Sequence, residues 1–426
     1  MNTPRFIARR IAFSEGKSFT KVIIRIAIAA IAVSVAVMIL TSSIIAGFKK
    51  EISGKIFGFW GNIHITDGNI NRNFELTPID KTKPFFDDIR NIKELVADDE
   101  ELNNSQKSIT KGGIKGVYPY IIMPSLMLYA DNFHGVLLKG LAQEYDWDKL
   151  NQFIIEGKSI TFKNDSSVNE IIISKNIAAK LKIPVGAKVI MSFVRDQSQI
   201  KKVFQVAGIY NTGLEEYDKR FGIVDIRKLQ EILGWGPQLV QGMEVILDDV
   251  ADIDILSEYI YYEILPQEYY AESIKSKFPS IFEWLNLQDI NEKIIIQLMI
   301  LVAIINMITV LLILILERTQ MIGILKSLGM TNWEVRKVFM YNAAYIILVG
   351  LALGNLLGLG IGFLQKKYNF ITLDEANYYL DKAPIEIVFS NILWINLGTF
   401  IVTLLFLFIP TFLVLKITPI KALRFE

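Results

Sequence analysis

Glu317-Arg318-Thr319-Gln320-Met321-Ile322-Gly323-Ile324-Leu325-Lys326-Ser327-Leu328-Gly329-Met330-Thr331-Asn332-Trp333-Glu334-Val335-Arg336-Lys337 separates two long apolar runs, and its reading decides the fold. The runs before and after it, Ile294 to Leu316 and Val338 to Leu364, each reach the ~20 residues that cross a bilayer core. A third run, Phe389 to Leu415, follows, and a fourth lies far upstream at Val22 to Ala46. The 426 residues are 52% hydrophobic with a mean hydropathy of +0.36. That is too apolar for an ordinary soluble domain, and the excess sits in these four runs. The expected fold class is therefore an integral membrane protein with four transmembrane α-helices (1+3) and a large α+β extracytoplasmic domain inserted between helices 1 and 2.

Lys and Arg in short loops set the orientation, because positive segments resist translocation. Arg5, Arg9, Arg10, Lys17 and Lys21 precede the first run; Arg318, Lys326, Arg336 and Lys337 lie in the 317–337 loop; Lys416, Lys421 and Arg424 follow the last run. In the 365–388 loop Lys366, Lys367 and Lys382 are offset by Asp374, Glu375, Asp381 and Glu386. The expected layout has 1–21 cytoplasmic, 22–46 as helix 1, 47–292 periplasmic, 293–316 as helix 2, and 317–337 as a cytoplasmic hairpin. Helix 3 then spans 338–364, 365–388 is a periplasmic loop, helix 4 spans 389–415, and 416–426 is a cytoplasmic tail. The first run is too long for a signal-peptide core, and Phe48-Lys49-Lys50-Glu51 after it offers no small-residue cleavage site. It is read as a retained anchor.

Composition removes several chemistries. A net charge of +1 gives no basic face for nucleic acid. Zero Cys removes disulfides, thiol catalysis and Cys-based zinc or iron–sulfur sites. His64 and His134 stand far apart without a ligand spacing and read as structural. Gly16-Lys17-Ser18 and Gly157-Lys158-Ser159 resemble the end of a phosphate loop, but Ile11 and Gln152 stand where its leading glycine belongs. No Asp, Glu or Lys falls mid-span, which argues against an ion-coupled carrier. Gln297, Asn306 and Asn396 read as interhelical hydrogen-bonding groups. Gly350, Gly354, Gly358, Gly360 and Gly362 read as a close-packing surface, and Pro410 as a kink in helix 4.

In the outer region an apolar stripe through Phe48, Ile52, Ile56 and Phe59 carries the first helix past the membrane, and Gly61-Asn62 ends it before a strand at Ile63 to Thr66. Further strands are expected at 136–140, 170–173, 188–193, 203–209 and 243–247. Ser174 caps a helix over Lys175 to Leu181, and Asp225 caps one over Ile226 to Leu233 that stops at Gly234. Asp98 to Gly113 reads as a loop. Residues 253–292 read as a helical return with breaks near Pro266 and Pro279, giving two helical stalks.

Met321, Ile322, Leu325 and Leu328 line one side of a short helix in the 317–337 hairpin; Gly329 terminates it and Asn332 caps the next. An apolar face in a cytoplasmic hairpin calls for a partner. This segment resembles the coupling helix of the FtsX-like permeases, ABC transporter subunits with one span, a large MacB-like periplasmic domain and three more spans. Phe6-Ile7-Ala8-Arg9-Arg10, Gly47-Phe48-Lys49-Lys50-Glu51, Ile171 to Gly186, Val206 to Asp218 and Thr418 to Arg424 resemble the lipoprotein-releasing LolC/LolE group. One departure is the short hairpin between Phe193 and Val203, where a longer, proline-containing hook stands in the group's chaperone-recruiting member.

The resemblance implies a transport subunit of the bacterial inner membrane, without a catalytic or metal site or a cofactor of its own. ATP and Mg would be bound by a cytoplasmic ABC ATPase dimer docking on Met321, Ile322, Leu325, Lys326, Leu328 and Gly329. It further implies a second permease subunit, an acylated lipoprotein substrate and a periplasmic lipoprotein carrier, with lipid chains held near Ile44, Ile45, Phe48, Ile52, Leu298 and Ile305. Two other readings stand beside it: a MacB-like exporter of drugs or peptides, and an FtsX-like regulator of a cell-wall hydrolase.

Overall fold

The computed structural model describes residues 18–68, 76–97, 108–163, 166–195 and 198–416. Arg5, Arg9, Arg10 and Lys17, the Phe6 to Arg10 motif, residues 98–107 of the expected loop, Asp196, Gln197, and the Thr418 to Arg424 motif with Lys421 lie outside them. The chain divides into two units: one runs to Glu51 and continues over Glu283–Thr372 and from Lys382, and the other comprises Ile52–Phe282 with Leu373–Asp381.

The first unit is helical. Four helices are long and apolar enough to cross a membrane, Lys21–Trp60, Pro279–Glu317, Asn332–Tyr368 and Phe389–Thr411. β-branched Ile and Val are weak helix formers in water, but in lipid every backbone N–H and C=O must be satisfied within the segment, so these runs become helices. The first belongs to α1, Ser18–Trp60, whose residues from Ile52 count with the second unit.

Helices α1 and Asn332–Tyr368 meet along small residues. A Cβ on Gly354 would lie 2.7 Å from Val35 Cβ and 2.8 Å from the Ala32 carbonyl oxygen, and one on Gly350 2.7 Å from Ile31 Cγ2. Gly358 continues the row against Ala36, whereas Gly360 faces open space and Gly362 makes only ordinary contacts. The expected glycine surface thus narrows to a row at four-residue spacing. Asn396 exchanges hydrogen bonds with Asn355 at 2.7 and 3.0 Å, pairing the third and fourth apolar helices. The fourth helix is regular over Phe389–Phe406, then breaks into Phe408–Thr411 and Leu413–Lys416. Pro410 explains the break, since it has no N–H to donate and its ring crowds the preceding turn.

The second unit is built on a ten-stranded mixed sheet. Its strands are β1 (Ile63–Asp67), β2 (Ile114–Tyr129), β3 (Asn132–Leu141), β4 (Ile154–Gly157), β5 (Glu170–Ser174), β6 (Lys188–Arg195), β7 (Ser198–Tyr210), β8 (Phe221–Asp225), β9 (Gly242–Leu247) and β10 (Tyr269–Ser273). Their order is β10-β1-β9-β2-β3-β8-β5-β7-β4, with β6 pairing both β7 and β2. Pairs β3–β8 and β5–β7 are parallel. Helix α2 (Lys175–Leu181) starts at Ser174, whose Oγ accepts from the Ile177 N–H, and α3 (Ile226–Leu233) starts at Asp225, which accepts from the Arg227 N–H and ends at Gly234 with φ +70°. The expected α+β pattern holds for this unit.

Three expectations are corrected. Within the loop expected over Asp98 to Gly113, Ser108–Ile109 is a short strand that pairs antiparallel with Val96–Ala97. The return segment 253–292 is not wholly helical: β10 interrupts it and pairs with β1, and Pro279 opens the long helix Pro279–Glu317. A proline in a first turn loses no helical bond, because those N–H groups have no intrahelical partner. The helix after the hairpin is capped by Thr331, not Asn332: Thr331 and Glu334 form a reciprocal capping box.

At the base of the sheet the C-terminal end of α1 enters a buried aromatic cluster. Phe59 stacks on Tyr210 at 5.8 Å and Trp60 meets Phe221 edge-on at 4.9 Å. Gly61, with φ +69°, ends the helix, and the Asn62 side chain accepts from the Leu247 N–H.

Candidate functional site

The hairpin helix α5, Thr319–Ser327, follows α4 (Pro279–Glu317) and leads into α6 (Asn332–Tyr368). Gly329, at φ +93°, closes it: the Gly329 N–H donates to the Lys326 carbonyl and the Met330 N–H to that of Leu325. Only glycine enters this left-handed region at no steric cost.

The residues read as one apolar side part company in the structure. Ile322 is fully buried in the helical core with Met307, Leu311, Val335 and Phe339, while Met321 and Leu325 pack half-buried at its margin. Ile322 is thus not presented to a partner. Leu328 is 77% exposed and Ile324, which sequence periodicity did not single out, is 49% exposed. Lys326 turns back and donates to the Val414 carbonyl at 2.6 Å, and burial pulls its pKa down. Beside it Trp333 stacks on Phe408, and Arg336 lies over Phe412 at 4.4 Å while donating to Thr411 Oγ1. Lys326, Trp333 and Arg336 therefore tie the hairpin to the end of the fourth apolar helix, and Ile322 sets α5 into the helical core. On α5 and at its C-cap, Ile324 and Leu328 are left facing outward.

The residues expected near lipid chains also divide. Leu298 and Ile305 are 52% and 55% exposed, and with Ile294 and Leu301 they form a continuous outward stripe on α4. Ile44 and Phe48 are half-buried on α1, where Phe48 meets Trp284 edge-on at 6.1 Å and Lys49 pairs with Asp289 at 2.7 Å. Ile45 and Ile52 are buried, Ile52 completely, and hence packing residues here.

His64 and His134 take different places. His64 is buried against the Trp60 carbonyl at 2.6 Å; burial first, then the Lys277 charge, push its pKa well below the ordinary histidine value. His134 is bonded to the Lys219 carbonyl on the surface. Among the described residues no group of three or more His, Asp or Glu side chains could hold a metal ion.

Four helices long and apolar enough to cross a membrane, a hairpin between two of them and a folded sheet domain define the class: a helical membrane protein that carries a folded sheet domain. Residues 26–260 match the MacB-like periplasmic core domain and residues 293–419 match the FtsX-like permease C-terminal domain. The chain belongs to the family of FtsX-like permeases that carry a MacB-like periplasmic core domain. It is 24% identical to the lipoprotein-releasing system transmembrane protein LolC of Neisseria meningitidis, over 98% of both chains. It is 21% identical to LolE of Haemophilus influenzae over 99% of both, and 26% identical to LolC of that organism over 67% of this chain and 69% of the relative. The extracellular domain of the ABC-type transporter YknZ aligns with 50% of this chain and 99% of its own length at 15% identity and a TM-score of 0.33, too remote to bear on function.

Proposed function

We propose that this chain is the permease subunit of an ATP-driven complex of the bacterial inner membrane that releases acylated lipoproteins to a periplasmic carrier. In this reading the first apolar helix is followed by the periplasmic domain and then by the other three spans, with both termini and the 317–337 hairpin in the cytoplasm. Full-length likeness to lipoprotein-releasing permeases supports the cargo. The observation that carries the mechanism is the anchored hairpin: Ile322 and Lys326 tie α5 to the bundle, so a push on Ile324 and Leu328 displaces whole helices instead of bending a loop.

A cytoplasmic ABC ATPase dimer, binding ATP and Mg, supplies that push, and a second permease subunit completes the cavity. Leu298, Ile305, Ile44 and Phe48 offer apolar surface for the acyl chains. Each buried CH₂ is worth about 0.8 kcal/mol, so narrowing the cavity destabilises bound chains and favours their transfer to a carrier. The short β6–β7 hairpin, in which Arg195 pairs with Ser198, gives this chain little hook with which to recruit that carrier. The reading therefore assigns recruitment to the second subunit. Purification of the intact complex from native membranes, with mass spectrometry of what it holds, tests the proposal. A co-purified ABC ATPase and a diacylated or triacylated protein are expected; an ATPase with only small amphiphiles would make it an exporter instead.

A further inference from the structure

A cavity of about 350 Å³ lies in the helical unit among α1, α4 and α7 (Phe389–Phe406), at the end of these helices opposite the hairpin. Its volume falls in the range of about 300–1,000 Å³ usual for small-molecule sites. On α4 its lining residue Ile296 points roughly 160° away from Leu298 and roughly 180° from Ile305, at 3.6 residues per turn. It is therefore a different surface from the acyl-chain stripe.

Its lining is graded. Ile296 and Ile395 form an apolar floor, and Trp394, 70% exposed, stands at the edge. Glu292 and Lys293 stand above them, and neither side chain makes a hydrogen bond or ion pair among the described residues. The wall is fixed: Asn391 donates to Ser42 Oγ at 3.2 Å, and Asp289 is held by Lys49. Unpaired charges of both signs above an apolar floor, with a tryptophan at the boundary, match an amphiphile lying at a membrane interface.

We infer that this cavity seats the headgroup end of one bilayer phospholipid with a zwitterionic headgroup, its phosphate on Lys293, its ammonium between Glu292 and the Trp394 ring, and the start of an acyl chain against Ile296 and Ile395, the rest of the lipid lying outside it. A cation over an indole face and a carboxylate beside it both favour the ammonium end, while an anionic headgroup would bring its charge against Glu292. The inference places the lipid in the outer leaflet only through the orientation proposed above; the cavity's chemistry does not depend on it.

The test uses the full chain in mild detergent with equal amounts of phosphatidylethanolamine and phosphatidylglycerol, read by native mass spectrometry. One phosphatidylethanolamine per chain is expected, preferred by about fivefold, the scale of one exposed charge contact. Glu292→Lys should invert the preference towards phosphatidylglycerol, and Trp394→Ala should lower occupancy. Equal retention of the two lipids, or an unchanged preference in Glu292→Lys, would overturn the inference. The measurement needs no ATPase or cargo, so its failure leaves the proposed transport role standing, and failure of that role leaves the lipid result readable.

Discussion

Lys139 on β3 and Glu244 on β9, both completely buried, lie 2.7 Å apart, and the Lys139 ammonium also donates to the carbonyl of Phe59 in the last turn of α1. The ammonium sits over the Phe59, Trp60 and Tyr145 rings, and Tyr145 donates to the Glu244 carboxylate at 3.2 Å. Burial pulls the Lys139 pKa down and the Glu244 charge pulls it back up. A cation at a helix C-terminus also meets the negative end of the helix dipole. The pair thus joins α1 to the sheet. Lys139→Met should destabilise this unit by about 3–5 kcal/mol, because it strands a buried carboxylate. Lys139→Met with Glu244→Gln should recover much of that loss; thermal melting of the full chain checks both, and equal losses in single and double variants would count against the pairing.

The hairpin predicts a contrast between neighbours. Leu328→Glu and Ile324→Glu should leave the melting temperature of the purified chain unchanged and abolish ATPase co-purification. Ile322→Glu should unfold the bundle, since an unpaired charge is forced into its core. Normal ATPase recovery with Leu328→Glu and Ile324→Glu combined would remove α5 as the docking element.

The glycine row makes a second contrast. Gly354→Ala places a methyl against backbone and a β-branched carbon and should cost about 1–3 kcal/mol through overpacking. Gly360→Ala faces open space and should be neutral or slightly stabilising. Detergent melting curves of the two variants distinguish them.

Asp218 gives a pH dependence. Burial raises its pKa to about 6, against the lowering pull of hydrogen bonds from the Thr212 hydroxyl and the Thr212 and Gly213 N–H groups. Between the ordinary carboxylate range and about 6 the folded form holds a proton that the unfolded form has released, so stability falls as pH rises through that window and levels off above it. Asp218→Asn should remove this part of the pH dependence, as read from melting temperatures between about pH 4 and about pH 7.

Sequence period and length reached most of the helices, because a bilayer demands long apolar runs and leaves few alternatives. The strands with β-branched runs were legible for the same reason: Ile171 to Ile173 and Val203 to Ile209 have one plausible use. β2 was not read, since Pro119 and Pro124 interrupt it, and β2 carries Pro124 just where it leaves β9 and has not yet reached β6, so no partner needs that N–H. β10 was missed because Tyr269 to Ser273 gains its strand from pairing with β1, distant in sequence. At the site, periodicity located the apolar stripe of α5 but not its neighbours. Ile322 and Leu328 look alike in sequence, and only packing against Val335 and Phe339 separates the core residue from the exposed one. Ile52 and Leu298 divide in the same way.

The lipoprotein reading rests on acyl chains meeting the outward stripe of α4. A photocrosslinking amino acid at Leu298, in native membranes with the ATPase present, tests it most directly. The account predicts capture of acylated lipoprotein that is lost when ATP is supplied together with the periplasmic carrier. Capture of phospholipid alone, with or without ATP, would contradict it.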